Sequence, residues 1–205
     1  MKKVIIITII FLFTSFTITA QGVYLDITTL PGVGKPWTLL DGNNVVDTID
    51  FTENELTLEF GLKIGYGPIA SLPLYAVADL GYMLSSYEDK PDIDILFNHY
   101  LIGAGIIFYP MSFIQLGASI GYASISTNNS SNVPDVPIIE LKGGLAWNIS
   151  AAFEFGYSKV GILMGLKYTN IIGTQDNSLQ QERVSSSMLV FFMRFTYRHK
   201  ASYQH

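Results

Sequence analysis

The 205-residue chain has no cysteine. That excludes disulfides, thiolate metal sites, cysteine nucleophiles and an N-terminal lipid-modified cysteine. Charge is scarce as well, at 14% of residues against the roughly 25% of ordinary soluble domains. The scarcity does not mean disorder, because 49% of residues are hydrophobic and disorder needs low hydrophobicity with high net charge. The formal charge of −5 repels phosphate backbones, so no nucleic-acid partner is expected. Histidine occurs only at 99, 199 and 205. Past Gln21 there is no stretch of apolar residues long enough for a membrane helix, which needs about 20 of them.

What is present begins with Lys2 and Lys3, followed by an apolar run from Val4 to Phe16 and then Thr17-Ile18-Thr19-Ala20. A basic start, an apolar core and a small residue at the cut are the marks of a secretory signal peptide. Residues 1–20 are therefore expected to be removed, 21–198 to form the folded unit and 199–205 a short tail. Loss of Lys2 and Lys3 leaves 10 bases against 17 acids, a mature charge of about −7.

The remainder alternates with period two. From Glu55, the large apolar residues Leu56, Leu58, Phe60, Leu62, Ile64 and Tyr66 are separated by Thr57, Glu59, Gly61, Lys63 and Gly65. From Ile139 to Tyr157 a second such strand sets Leu145, Trp147, Ile149, Phe153 and Phe155 against Lys142, Gly144, Asn148, Ser150 and Glu154. Successive strand residues point to opposite faces, so each strand has one apolar and one polar face. Six weaker segments follow the same rule: Gly22–Leu30, Leu72–Leu84, His99–Tyr109, Phe113–Ser124, Val160–Ile171 and Ser187–Arg198. Leu101 and Ile107 break the pattern of the third of these.

The connections sort by length. Pro31–Asn54, Ser85–Asn98, Ile125–Ile138 and Ile172–Ser186 are long, whereas Pro68–Ser71, Pro110–Ser112 and Ser158–Lys159 are short. Strict alternation of long and short connections is the habit of outer-membrane barrels, whose strands run up and down between short periplasmic turns and long external loops. A soluble sandwich or lipocalin-like barrel has no reason for it. Tyrosines also sort on this topology. Tyr66, Tyr109, Phe113, Tyr157 and Tyr197 fall at one rim, and Tyr82, Tyr100, Tyr122 and Tyr168 at the other, as interfacial girdles would. The expected fold is all-β, an eight-stranded antiparallel up-and-down transmembrane barrel with both termini in the periplasm.

On the polar faces four acids, Asp26, Glu59, Asp79 and Glu154, meet four bases, Lys63, Lys142, Lys167 and Arg194. An eight-stranded barrel is about wide enough for side chains to fill it. Charges withdrawn from water must be paired. The set therefore reads as an ion-pair network plugging the lumen, with a narrow gated ion path as the alternative. Most other acids lie in the long connections, giving an acidic outer surface. Within Glu88-Asp89-Lys90-Pro91-Asp92-Ile93-Asp94, the residues Glu88, Asp89, Asp92 and Asp94 form a weak candidate cation loop that lacks the glycine and terminal glutamate of an EF-hand. No catalytic set is found: His99 has no neighbouring serine to form a recognisable motif, and it reads as an interfacial polar residue. Gly32-Val33-Gly34-Lys35 lacks the spacing of a phosphate loop. No cofactor is expected.

In signal peptide, alternation and loop order the chain resembles the small outer-membrane barrels of Gram-negative bacteria, the OmpX, OmpA-barrel and OmpW kind, from Gly22 to Arg198. The final strand, Leu189-Val190-Phe191-Phe192-Met193-Arg194-Phe195-Thr196-Tyr197, is similar to the insertion signal of that superfamily, with Phe195 and Tyr197 as its spaced aromatics. It departs from the pattern in lacking a glycine and in being followed by Arg198 to His205. The resemblance implies a monomeric barrel inserted by the barrel-assembly machinery into lipid with a lipopolysaccharide-type outer leaflet. Two roles remain. One is a non-enzymatic structural or adhesion-like surface barrel whose acidic loops meet an external ligand. The other is an OmpW-like passage for small hydrophobic molecules, or a narrow ion channel. A hydrophobic conduit would need an apolar inner trough.

Overall fold

The computed structural model of the chain describes residues 22–41, 44–47, 56–69, 72–90, 93–129, 141–156, 159–177 and 180–199. Nine strands fall in these segments: β1 (Val23–Asp41), β2 (Asn44–Asp47), β3 (Leu56–Tyr66), β4 (Leu74–Lys90), β5 (Ile93–Met111), β6 (Ile114–Asn129), β7 (Leu141–Phe155), β8 (Val160–Asn177) and β9 (Gln180–Arg198). Neighbours in sequence pair antiparallel from β3 to β9, and β1 pairs with both β3 and β9. The sheet thereby closes into an eight-stranded barrel and leaves none of those eight strands as a free edge along its full length.

The barrel has a turn end, where β3–β4, β5–β6 and β7–β8 connect and where β1 begins and β9 stops, and an opposite loop end. Alternation decides which residues face inward. On β3 the pattern is strict, with Thr57, Glu59, Gly61, Lys63 and Gly65 buried and Leu56, Phe60, Ile64 and Tyr66 exposed. The same register rule carries through β5, where Leu101 and Ile107 are buried inward neighbours of Gly103 and Gly105. They do not break the alternation; they are apolar members of the inward face.

The strands run beyond the expected bounds at the loop end. The connection expected over Ser85–Asn98 is a continued hairpin, paired from Ser85↔Phe97 to Lys90↔Ile93. That expected over Ile172–Ser186 is paired from Ile172↔Ser185 to Asn177↔Gln180. Part of Pro31–Asn54 belongs to β1 and to the short β2, which pairs with β1 at Leu39–Asp41. The apolar–polar alternation reports a half-buried face, and the backbone ladder continues past the point where that alternation stops.

One strand is irregular. Between Ile27↔Leu62 and Gly32↔Glu59, β1 advances five residues while β3 advances three, and the β1–β9 register shifts over Thr28–Val33 as well. Thr29, Leu30 and Pro31 are consecutive outward residues in this bulge. Proline has no N–H to give to a ladder and is confined to bulges or edges of sheets. The Thr28 hydroxyl takes over the pairing: it accepts the Gly61 N–H at 2.6 Å and donates to the Gly61 carbonyl at 3.0 Å.

Candidate functional site

The lumen holds the buried side chains in three layers. At mid-height, six ionised groups converge from five strands. Arg194 on β9 binds Glu59 on β3 through Nη2 at 2.7 Å and lies 3.6 Å from Asp26 on β1 through Nη1. Lys167 on β8 donates to the same Glu59 Oε1 at 2.8 Å. Lys63 Nζ stands 3.8 Å from Asp79 Oδ2 on β4, to which Asn148 Nδ2 donates at 3.1 Å. All six groups are at most 1% exposed. Three carboxylates thus meet three cations out of contact with solvent. Such an arrangement is tolerated only because each charge has an opposite one beside it. Gly61 makes room for it, since a Cβ there would come within 2.8 Å of Arg194 Nη2.

Toward the turn end the lumen narrows onto aromatic rings. Tyr24, Tyr75 and Tyr109 are fully buried, with ring centroids 5.2 Å apart for Tyr24–Tyr75 and 5.8 Å for Tyr75–Tyr109. Gln115 Nε2 donates to the hydroxyls of Tyr24 (2.7 Å) and Tyr109 (3.1 Å). The Tyr24 hydroxyl donates in turn to Asp26 at 3.4 Å, which joins this layer to the ion pairs above. Arg198 closes the layer: Nε donates to Glu154 at 2.8 Å, Nη2 to the Ser112 carbonyl at 2.7 Å, and its guanidinium lies 3.7 Å from the Tyr109 ring centroid. The third layer, toward the loop end, is apolar, and Met83, Leu101, Ala123, Ile125, Ala146, Ile171 and Met188 form one buried cluster there. Thr57, Ser85 and His99 are buried on the same faces.

Seven of the eight residues expected in the lumen, Asp26, Glu59, Lys63, Asp79, Glu154, Lys167 and Arg194, are buried inside the barrel. Six of them form the central group, while Glu154 is held apart by Arg198. The side chain of Lys142 lies outside the described residues, as do those of the candidate cation loop Glu88, Asp89, Asp92 and Asp94. The backbones of Glu88 and Asp94 are cross-strand partners in the β4–β5 hairpin. Phe195 and Tyr197 stand on the outward face of β9, opposite Ile27 and Leu25.

Two assignments change. Tyr109 is not a rim residue: it shares the inward phase of Leu101 and Ile107 and is 1% exposed. His99 is not interfacial: it sits inward opposite Met83 and is 1% exposed. Arg198, Tyr24 and Gln115 were not anticipated as lumen residues, although parity identifies two of them. Tyr24 precedes Asp26 by two and Arg198 follows Arg194 by four. The other rim aromatics keep their outward places, with Tyr66 and Phe113 exposed at the turn end and Tyr100 and Tyr122 at the loop end; Tyr157 lies outside the described residues.

The outside is the complement of the inside. From Val23 round to Tyr197, the outward strand side chains that the structure describes are mostly aliphatic and aromatic, with Thr29, Asn98, Ser124, Ser126, Asn170 and Ser187 as polar exceptions, and none of these described side chains is charged. Ile102 (63%), Ile120 (59%), Phe153 (57%) and Phe155 (60%) are among the most exposed. Among the described residues no helix is long and apolar enough to cross a membrane.

Fold and interior together define a closed eight-stranded antiparallel barrel that is charged within and apolar without. Solved structures similar to it are small outer-membrane barrels. Ail, the attachment invasion locus protein of Yersinia pestis, solved with the heparin analogue sucrose octasulfate, is 16% identical over 85% of this chain and 99% of its own, with a TM-score of 0.48. Neisserial surface protein A is 14% identical over 88% of this chain and 99% of its own, at 0.49. The outer membrane protein OprG from Pseudomonas aeruginosa is 10% identical over 88% and 98%, at 0.43. No family model and no curated protein matches the sequence. At these identities no binding property of those proteins passes to this chain.

Proposed function

We propose that the chain is a non-enzymatic outer-membrane barrel that presents its loop end to the outside and does not conduct. One observation carries this reading: large apolar side chains face outward on every barrel strand while the buried charges face inward. Exposed apolar patches on soluble monomers rarely exceed a few hundred Å². A belt running round a whole barrel needs a hydrocarbon solvent, and only closed sheets and helices can span one without orphaned backbone groups. On this reading both termini are periplasmic, Phe195 and Tyr197 belong to the insertion signal read by the assembly machinery, and residues 1–20 are cleaved. The acidic connections meet an external ligand or bridge through divalent cations to lipopolysaccharide.

The ion pairs and the Tyr24–Tyr75–Tyr109–Arg198 layer then act as a plug. Refolded protein in planar bilayers is expected to show no steady single-channel steps; regular steps would overturn the plug. Trypsin added to intact cells is expected to clip the loop end, where Lys35, Lys90 and Arg183 lie, and to spare the turn end.

A second reading is favoured by the apolar loop-end layer around Met83, Leu101 and Met188, since passage of small hydrophobic molecules requires an apolar lining. It stops at the charged layer, so any such path would have to leave through the wall. Accumulation of an apolar dye in proteoliposomes, measured beside the planar-bilayer recordings, separates the two.

A further inference from the structure

The loop-end layer holds a set of soft donor atoms whose ligating chemistry neither role calls on. Among the described residues only two methionines face inward, Met83 and Met188, both in this layer; Met111, Met164 and Met193 stand on outward positions. His99 is the one histidine of the same layer, and it is the direct cross-strand partner of Met83. Residues opposite each other on one face have Cβ atoms about 5 Å apart, within reach of a shared ligand. Met188 arrives from β9. The Ser85 hydroxyl touches its sulfur at 3.5 Å, and it packs in one cluster with Met83. His99 is 1% exposed, so it is enclosed within the layer rather than held at its rim.

We propose that this layer binds one Cu(I) ion through the thioethers of Met83 and Met188 and the imidazole of His99. Thioethers and imidazole are uncharged and soft to borderline, the ligand type that selects Cu(I) over hard divalent cations. Among the described residues the layer contains no carboxylate that would favour calcium, magnesium or zinc. The surrounding Leu101, Ile125 and Ile171 are buried and exclude water, which favours the monovalent ion. The binding is a simple association, with no electron transfer. It needs only the barrel geometry and stands independently of whether the protein conducts or adheres.

The test is anaerobic titration of the folded protein in detergent micelles with Cu(I) against a chromophoric Cu(I) chelator, in parallel with NMR of 13C-methyl methionine under Ag(I), a diamagnetic surrogate. One equivalent is expected to bind, shifting the Met83 and Met188 methyl signals and leaving those of Met164 and Met193 in place. Met188→Leu and His99→Gln are each expected to weaken binding at least about 10-fold. Met164→Leu and His199→Gln should leave it unchanged. Absence of Cu(I) binding, unmoved Met83 and Met188 signals, or retention of full affinity in Met188→Leu would overturn the proposal. The NMR readout uses the unaltered protein and does not depend on any variant folding.

Discussion

Glu59 is the residue on which the buried charges converge, since a single oxygen accepts from Lys167 at 2.8 Å and Arg194 at 2.7 Å. Glu59→Gln keeps the shape but leaves two buried cations short of a negative partner. Breaking such a pair costs about 3–5 kcal/mol, mostly the penalty of the stranded charge. Urea unfolding of the refolded barrel is expected to show a loss of that order. Adding Lys167→Met, which removes one stranded cation, should recover part of it; an additive further loss would contradict the network. The ion-pair members were legible in the sequence because a lone charge on a small-residue face has few other places to go. Their partners were not. Glu154 and Arg198 are 44 residues apart, and their contact depends on how β7 and β9 face each other across the turn end. That is a property of the closed barrel rather than of either strand.

Among the elements, β1 is the irregular one. Its bulge at Thr28–Gly32 interrupts pairing on both sides, and the Thr28 hydroxyl is the patch that restores contact with β3. Thr28→Val, which is nearly isosteric, is expected to destabilise the barrel by about 1–3 kcal/mol by leaving the Gly61 N–H and carbonyl unpaired. Thr28→Ser should restore most of it, as unfolding midpoints of the two variants would show. The outward faces make a different claim. Ile149 lies near the middle of β7 and is 52% exposed. If its face meets lipid, Ile149→Arg costs about 2–4 kcal/mol in bilayers. On a water-facing surface the same change would be close to neutral, so one variant distinguishes the environments. Strand existence and phase could be read from period two alone, and the strong β3 and β7 show it. β5 could not, because its inward face is itself apolar at Leu101, Ile107 and Tyr109, and two apolar faces leave no alternation to see. The misplacement of Tyr109 and His99 follows from that one strand.

For the whole molecule, the sequence contains barrel closure only indirectly, through the length of its connections. The continued β4–β5 and β8–β9 hairpins show why length was an incomplete guide: backbone pairing goes on wherever a neighbouring strand is present, whether or not the side chains keep a period of two. The layering of the lumen, aromatic below, ionic at mid-height and apolar toward the loop end, was hidden for the same reason as the Glu154–Arg198 contact. Each layer is assembled from several strands, and no single strand displays it. What the layers have in common is orientation. Charge is turned inward and apolar surface outward, the reverse of a water-soluble barrel.

That inversion is open to direct measurement because the chain has no cysteine of its own. Single cysteines placed in turn at positions 145 to 155 of β7, spin-labelled in protein reconstituted into lipid bilayers, report collision with oxygen and with a water-soluble nickel chelate. Labels at Leu145, Trp147, Ile149, Ala151, Phe153 and Phe155 are expected to be accessible to oxygen and shielded from the chelate. Labels at Ala146, Asn148, Ser150, Ala152 and Glu154 are expected to be shielded from both, giving a period of two. Outward positions open to the chelate, or no alternation between the two sets, would contradict a lipid-facing belt around a filled lumen.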